Sequence, residues 1–483
     1  VFPVYFMSKK FLNNNFQAFI IAIVSIILPE MVYTSKIMQE NLFYPLTMWF
    51  FFIFIYFILE DQYKRRNMVR LGLYLFVVSL CKQMALNIVA GLILYYLLQF
   101  FFFDKQNRKK CIIGLIWFIA VFFGLKFAYG RLFDFAYYLT EESASEMSIR
   151  VILKRLLDPH LLSQLIYPAF TYLLMSILYM GVFPVLLPVA YIKELKAKER
   201  NLLILIGTIF LSTVAVICIR IVPQENLDEL LMRFHFRYLF FLTVPMLILF
   251  FRVKDNIIIE KRLKNTIAFL ALIYILLLNN IVLITEHVAS IDCVAGHFIR
   301  YLFETDMMQN TLRMLILVGI FFGLYLLYKQ KVKLFYSLIL IGFVISGVAS
   351  NCFAYNEYYE HRISSAPAKE DALTLNAYLD SAQQKDNSTL LIISDSLHAG
   401  AKFEIYLEYP NYYYCDLEDF KTFKESYTGE TFAGLHLISF NKIFTDESFV
   451  HPDYIISNQP IDLEGYEKMD LTLKAYYLYS RVE

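Results

Sequence analysis

Long apolar runs separated by short basic turns set the pattern of this chain. Residues 1–7 are apolar and read as the tail of a helix, and Lys9 and Lys10 mark the turn after it. Residues 16–28 form a short apolar run and residues 42–59 a longer one, with a polar island, residues 29–45, between them. A membrane-crossing helix needs about 20 mostly apolar residues. Further runs of roughly that length follow at residues 112–128, 165–192, 202–222, 238–251, 267–284, 314–328 and 334–353. The run 71–103 is too long for one crossing and has basic residues at both ends, Arg70 before it and Lys105 and Arg108 after it. Basic loops stay on the cytoplasmic side, so this run is expected to go in and come back as a hairpin, with Lys82 and Gln83 at its outer apex.

The basic turns recur regularly, at Lys64 to Arg70, Lys105 to Lys110, Lys193 to Arg200, Arg252 to Lys264 and Lys329 to Lys333. The other loops, residues 130–160, 223–236 and 286–310, mix both signs and are expected outside. Residues 147–162 have helical periodicity and are expected to lie in the interface. Beyond residue 355 the pattern changes to shorter apolar runs in a polar background. Residues 368–384 read as an amphipathic helix. Strands are expected at 389–394, 412–417, 435–440, 454–457 and 471–482, and helices at 403–407 and 419–426. The expected architecture is therefore an α-helical multispanning membrane protein, residues 1–353, with a small extracytoplasmic α/β domain, residues 354–483.

Composition agrees with that division. Of 483 residues, 58% are hydrophobic, the mean hydropathy is +0.52, and the net charge is +1. That charge gives no reason to expect a nucleic-acid partner. The six cysteines have no metal spacing and no Cys-x-x-Cys. Cys293 and Cys415 fall in regions expected outside, where either a disulfide or two free thiols fits. The chain opens at Val1 in an apolar stretch with no basic leader or cleavage pattern, which is not a signal peptide.

Charges within the apolar blocks are few, and they fall at one expected depth, the outer boundary. In the island, helical spacing would put Tyr33, Lys36, Glu40 and Tyr44 on one face. A plain interfacial loop with a Lys–Glu pair is the simpler alternative. Lys82 stands at the hairpin apex, and Lys126 and Arg220 near the outer ends of their runs. Arg233, His235 and Arg237 alternate with Phe before Tyr238. Lys and Arg lining a cavity at this depth suit a lipid-linked phosphate or pyrophosphate. Snorkelling of long side chains or an interfacial aromatic belt would explain each residue singly. Ser394, Asp395 and His398 lie close in sequence but do not form a nucleophile elbow.

Residues 1–350 resemble the GT-C superfamily of integral-membrane glycosyltransferases, in its RgtA/B/C/D-like and protein-mannosyltransferase-like branch. The likeness rests on Pro29 before the island, the segment from Ser35 to Glu40-Asn41-Leu42, and Pro45 beyond. The Lys82-Gln83 apex resembles that branch's Thr-Lys element, with Cys81 in place of Thr, and Arg237-Tyr238 with Pro245 resembles its later Arg-Tyr segment. The resemblance implies a polyprenyl-phosphate sugar donor and inverting transfer of a hexosyl or pentosyl group. It places transfer on the outer face of a bacterial plasma membrane, to an envelope glycan, lipid or protein. The family's leading carboxylate lies in the first outside loop after its first membrane helix. Nothing here matches it, and the chain is expected to lack the helices before that point. Glu40 matches the second acidic position and is assigned to acceptor positioning or a metal, and secondarily to the base. Lys36, Lys82, Gln83, Arg233, His235, Arg237 and Tyr238 are the expected substrate-binding residues. A divalent cation is the one cofactor the resemblance leaves open. A lipid-linked saccharide transporter or an inactive membrane scaffold are the competing readings.

Overall fold

The structure is a computed structural model that describes residues 1–12, 14–31, 40–60, 63–82, 84–132, 159–221, 234–253, 269, 272–273, 293–303, 305–364, 366–381, 389–395, 412–426 and 452–482. The chain divides into two compact units, Val1–Tyr355 and Asn356–Glu483. The expected interfacial helix at 147–162, the crossing at 267–284, the helix at 403–407 and the strand at 435–440 lie wholly or mostly outside the described residues.

The first unit is helical. Its elements are α1 (Phe2–Phe11), α2 (Asn15–Ile27), α3 (Glu40–Ile53), α4 (Arg65–Cys81), α5 (Ala85–Leu98), α6 (Arg108–Leu132), α7 (Pro159–Tyr179), α8 (Val182–Ala190), α9 (Ala197–Ile221), α10 (Thr243–Val253), α11 (Val294–Leu302), α12 (Asp306–Tyr328) and α13 (Val332–Ser364). Helices α3 and α5 each continue into a π-helical turn, Phe54–Ile58 and Gln99–Phe103. Among the described residues, six spans are long and apolar enough to cross a membrane: Asn41–Ile58, Ala85–Phe103, Arg108–Tyr129, Ala197–Ile219, Met307–Tyr328 and Val332–Asn356. Side-chain caps start several helices. The Asn14 side chain accepts from the Phe16 and Gln17 amides at α2, and Thr305 accepts from the Met308 amide at α12.

Two expected crossings take another form. Residues 165–192 are not one helix. They bend by 104° between α7 and α8. Gly181 stands at the break with φ +91°, a backbone region that side-chain-bearing residues rarely enter. Pro184 follows it in the first turn of α8 and has no backbone N–H to carry the helical hydrogen-bond ladder across the break. The run 238–251 is not a lipid-facing helix either. Two short 3₁₀ turns, Phe236–Tyr238 and Phe240–Leu242, lead into α10, whose residues are all buried except Arg252. With the turn before it, α10 forms an apolar helix, Phe240–Val253, that is shorter than the six spans. It is an internal post with helices around it.

Close packing fixes this bundle. Helices α5 and α9 meet at Gly91, where an added Cβ would lie 2.5 Å from the Ile209 Cα. At the basic end, Arg252 of α10 reaches Glu199 of α9 at 2.6 Å, with both side chains largely buried. The second carboxylate oxygen of Glu199 accepts from the Lys196 amide at 2.8 Å, so one carboxylate caps α9 and holds α10.

The second unit holds α14 (Ala366–Ser381), β1 (Leu390–Ser394), β2 (Tyr412–Asp416), α15 (Leu417–Ser426), β3 (Tyr454–Ser457), β4 (Tyr466–Lys468) and β5 (Tyr477–Arg481). The sheet order is β2-β1-β3-β5-β4. The first three strands are parallel, with Leu390 opposite Tyr412 and Tyr454. Strands β5 and β4 add antiparallel. The expected strand at 471–482 is confined to β5, because the loop before it is tied elsewhere. The Asp371 carboxylate of α14 accepts from the backbone amides of Lys474, Ala475 and Tyr476 at 2.6, 2.6 and 3.0 Å. None of the six cysteines is in a disulfide among the described residues.

Candidate functional site

The helical hairpin expected at residues 71–103 is formed by α4 and α5, and Lys82 closes α4 at its tip, in extended conformation. Its ammonium lies 5.2 Å from the centre of the Tyr238 ring and 6.0 Å from that of Phe43. Arg237 meets the same ring, with its guanidinium carbon 4.8 Å from the Tyr238 centroid and Nη2 donating to the Tyr238 hydroxyl at 2.9 Å. His235 stacks on Tyr238 at 5.7 Å. Its backbone N–H donates to the Tyr172 hydroxyl on α7 at 3.3 Å. Lys82, from a distant part of the sequence, therefore joins Arg237 and His235, sequence neighbours of Tyr238, at one phenol ring. Cation–π attraction and a charge-assisted hydrogen bond hold them there.

The start of α3 completes the wall. Phe43 packs edge-on against Phe241, and Tyr44 stacks on Phe240 at 4.8 Å. The Tyr44 hydroxyl donates to the Ser25 carbonyl of α2 at 3.3 Å. Glu40 opens α3 one turn before these two rings. Its side chain, together with Lys36, Gln83, Arg233 and Arg220, lies outside the described residues. Lys126, half-buried on α6, does not join the cluster among the described contacts. No group of three His, Cys, Asp or Glu side chains able to hold a metal occurs among the described residues.

Glu30 is the residue that sequence reasoning passed over. Its position follows from how α2 ends. Pro29 cannot continue the helix. The Asn351 side chain of α13 donates to the carbonyls of Ile27 and Leu28 at 3.0 and 3.1 Å, taking the place of the missing helical donors. Gly347, a turn earlier on α13, brings that helix against Ile27, where a Cβ would collide with its carbonyl. The chain then turns through Leu28, whose carbonyl accepts from the Met31 amide at 2.9 Å, and Glu30 is driven inward to 2% exposure. Burial pushes its carboxyl up to about 8, against a smaller opposing effect of its own backbone amide. The available signal was the Pro-Glu step directly after an apolar run.

No family model, curated protein or solved structure matches this chain.

Proposed function

We propose that this chain is an integral-membrane glycosyltransferase of the GT-C type that takes a sugar from a polyprenyl-phosphate donor. The observation that supports this most is the convergence of Lys82 and Arg237 on Tyr238, beside His235. Arg presents a planar fork suited to two phosphate oxygens, and Lys supplies a compact charge. An anion bound between two such cations lowers their mutual repulsion, which gives a lipid phosphate a strong preference for this place. Tyr238 and Phe43 offer ring faces against which the first isoprene or the sugar packs.

In the reaction, the acceptor hydroxyl attacks the sugar's anomeric carbon from the face opposite the phosphate. Its proton passes to a carboxylate, and the bond between that carbon and the phosphate oxygen breaks with its electron pair staying on the phosphate. Lys82 and Arg237 stabilise the charge that develops on the leaving phosphate. Glu40, at the head of α3, is assigned to positioning the acceptor and secondarily to taking the proton. The transfer face is outside, the membrane a bacterial plasma membrane, and the acceptor an envelope glycan, lipid or protein.

Transport of a lipid-linked saccharide is the second reading. The break between α7 and α8 favours it, because transporters build their sites from discontinuous helices. Binding of polyprenyl phosphate to the purified full chain tests the shared premise. Lys82→Ala or Arg237→Ala should each weaken it by about tenfold, the loss expected for one charge-assisted hydrogen bond. Unchanged affinity in both variants would remove the cluster from the site. Following a labelled sugar then separates the readings: transfer to an acceptor supports the enzyme, and movement between leaflets without transfer supports the transporter.

A further inference from the structure

A cavity of about 310 Å³ lies beside Glu30, walled by the end of α2, the α7–α8 break, the start of α10, and helices α11, α12 and α13. That volume is at the lower end of the ~300–1,000 Å³ of ligand clefts. Its wall is apolar, with Phe183, Phe240, Ile299 and Phe343 among the lining residues. Four polar side chains interrupt it: Glu30, Tyr179, Thr243 and Ser346. Of these, Glu30 and Thr243 are both 2% exposed, and Glu30 Oε1 and Thr243 Oγ1 each lie buried with no hydrogen-bond partner among the described residues. Leaving such oxygens unsatisfied costs about 1–3 kcal/mol for a neutral group and more for a charged one. Two together at one cavity therefore require an explanation.

We propose that this cavity binds the hydroxyl head of a long-chain amphiphile, with the hydroxyl donating to Glu30, accepting from Thr243, and the chain leaving along the apolar wall. The chemistry favours a hydroxyl over the alternatives. No Lys, Arg or His lines the cavity among the described residues, so an anionic head would face a carboxyl with nothing to balance it. An ammonium head would require two ions in an apolar wall, and desolvating both is expensive. A hydroxyl needs neither charge, and the neutral carboxyl that burial favours can both accept from it and donate to it. The chain has an exit. Leu338, a lining residue of α13, is 38% exposed. Nearby outward residues Phe321 of α12 and Ile341 and Ile345 of α13 are at least half exposed, as residues facing lipid would be. The occupant therefore enters from the hydrocarbon, which selects a lipid-like molecule over a water-soluble one. This inference does not depend on glycosyl transfer.

The test is photolabelling of the purified full chain in detergent with a diazirine-bearing 16-carbon primary alcohol, mapped by peptide mass spectrometry. Labelling should concentrate on the peptides carrying Phe183 and Phe343. Excess hexadecanol should compete it away, while hexadecylamine and palmitate should not. Thr243→Val and Glu30→Leu should each reduce it by about fivefold, the loss of one neutral hydrogen bond. Glu30→Gln keeps a donor and an acceptor in the same shape and should retain most of it, which distinguishes loss of binding from loss of folding. Label spread over other helices, full competition by the amine, or equal labelling in Thr243→Val and wild type would each overturn the proposal. Failure to label at all would leave water as the partner of the two oxygens and overturn it as well.

Discussion

Replacing Glu30 by Gln isolates the energetic consequence of burying a carboxyl at the end of α2. In the folded chain its carboxyl is raised from the ordinary 4.5 to about 8, whereas the unfolded chain restores the ordinary value. Below pH about 4.5 the group is neutral in both states and contributes no pH dependence. Between the two values the unfolded chain releases the proton and the folded chain keeps it, so stability falls as pH rises. The slope approaches ~1.4 kcal/mol per pH unit, and across the window the loss is on the order of 5 kcal/mol. Above about 8 the loss is complete and stays constant. Gln has no proton to release and removes this slope. Thermal unfolding of the full chain in detergent, followed by Trp fluorescence from pH 5 to 8.5, reads the difference. At pH 5 the variant should match the wild type or fall slightly below it. Its midpoint should overtake the wild type as the pH rises, and the gap should be widest near pH 8.5. Midpoints that run parallel across the whole range would show that Glu30 is ionised in the fold and has a partner, and would refute the reasoning.

Other substitutions probe other links. Gly91→Val should destabilise the bundle by at least ~1–3 kcal/mol, because its side chain must displace backbone on α9; an unchanged midpoint would contradict the α5–α9 contact. Asn351→Ala removes the donor from the end of α2 and should cost about 1–2 kcal/mol, with faster amide exchange at residues 30 and 31. In the second unit, Asp371→Ala leaves three amides unpaired and should cost about 3 kcal/mol or more, seen as increased proteolysis of the 470–476 loop in the full chain. Glu199→Gln should loosen both α9 and α10, and by more than a surface ion pair would, because it leaves Arg252 buried without its counter-charge.

The parts of this fold that could be read in the sequence are those where one local rule decides. Basic turns and apolar runs located α3, α5, α6, α9, α12 and α13. The Lys82 apex was legible because a run of that length with basic residues at both ends has to fold back. In the second unit, compact apolar runs located β1, β2 and β3 directly. Tertiary terms decided the rest. Residues 238–251 have the composition of a crossing, and only their complete enclosure by other helices makes α10 an internal post. The break at Gly181 needed its φ value, although Pro184 was in view. Strand β4, three residues long, carries too little pattern to stand out. Within the site, Arg237 and Tyr238 were singled out from sequence, but that Lys82 reaches the same ring depends on two loops meeting. Glu30 was missed because its burial comes from Asn351 and Gly347, more than 300 residues away in sequence.

Sugar transfer by the purified full chain, reconstituted in vesicles, is the measurement that bears most directly on the proposed function. The donor would be polyprenyl phosphate carrying a radiolabelled sugar, with an envelope extract as acceptor. Label should leave the polyprenyl-phosphate fraction for the acceptor, and Lys82→Ala, Arg237→Ala and Glu40→Gln should each slow that transfer by at least about tenfold. Label that remains on polyprenyl phosphate in the presence of wild-type chain, whether it crosses the bilayer or stays in place, would contradict the glycosyltransferase account.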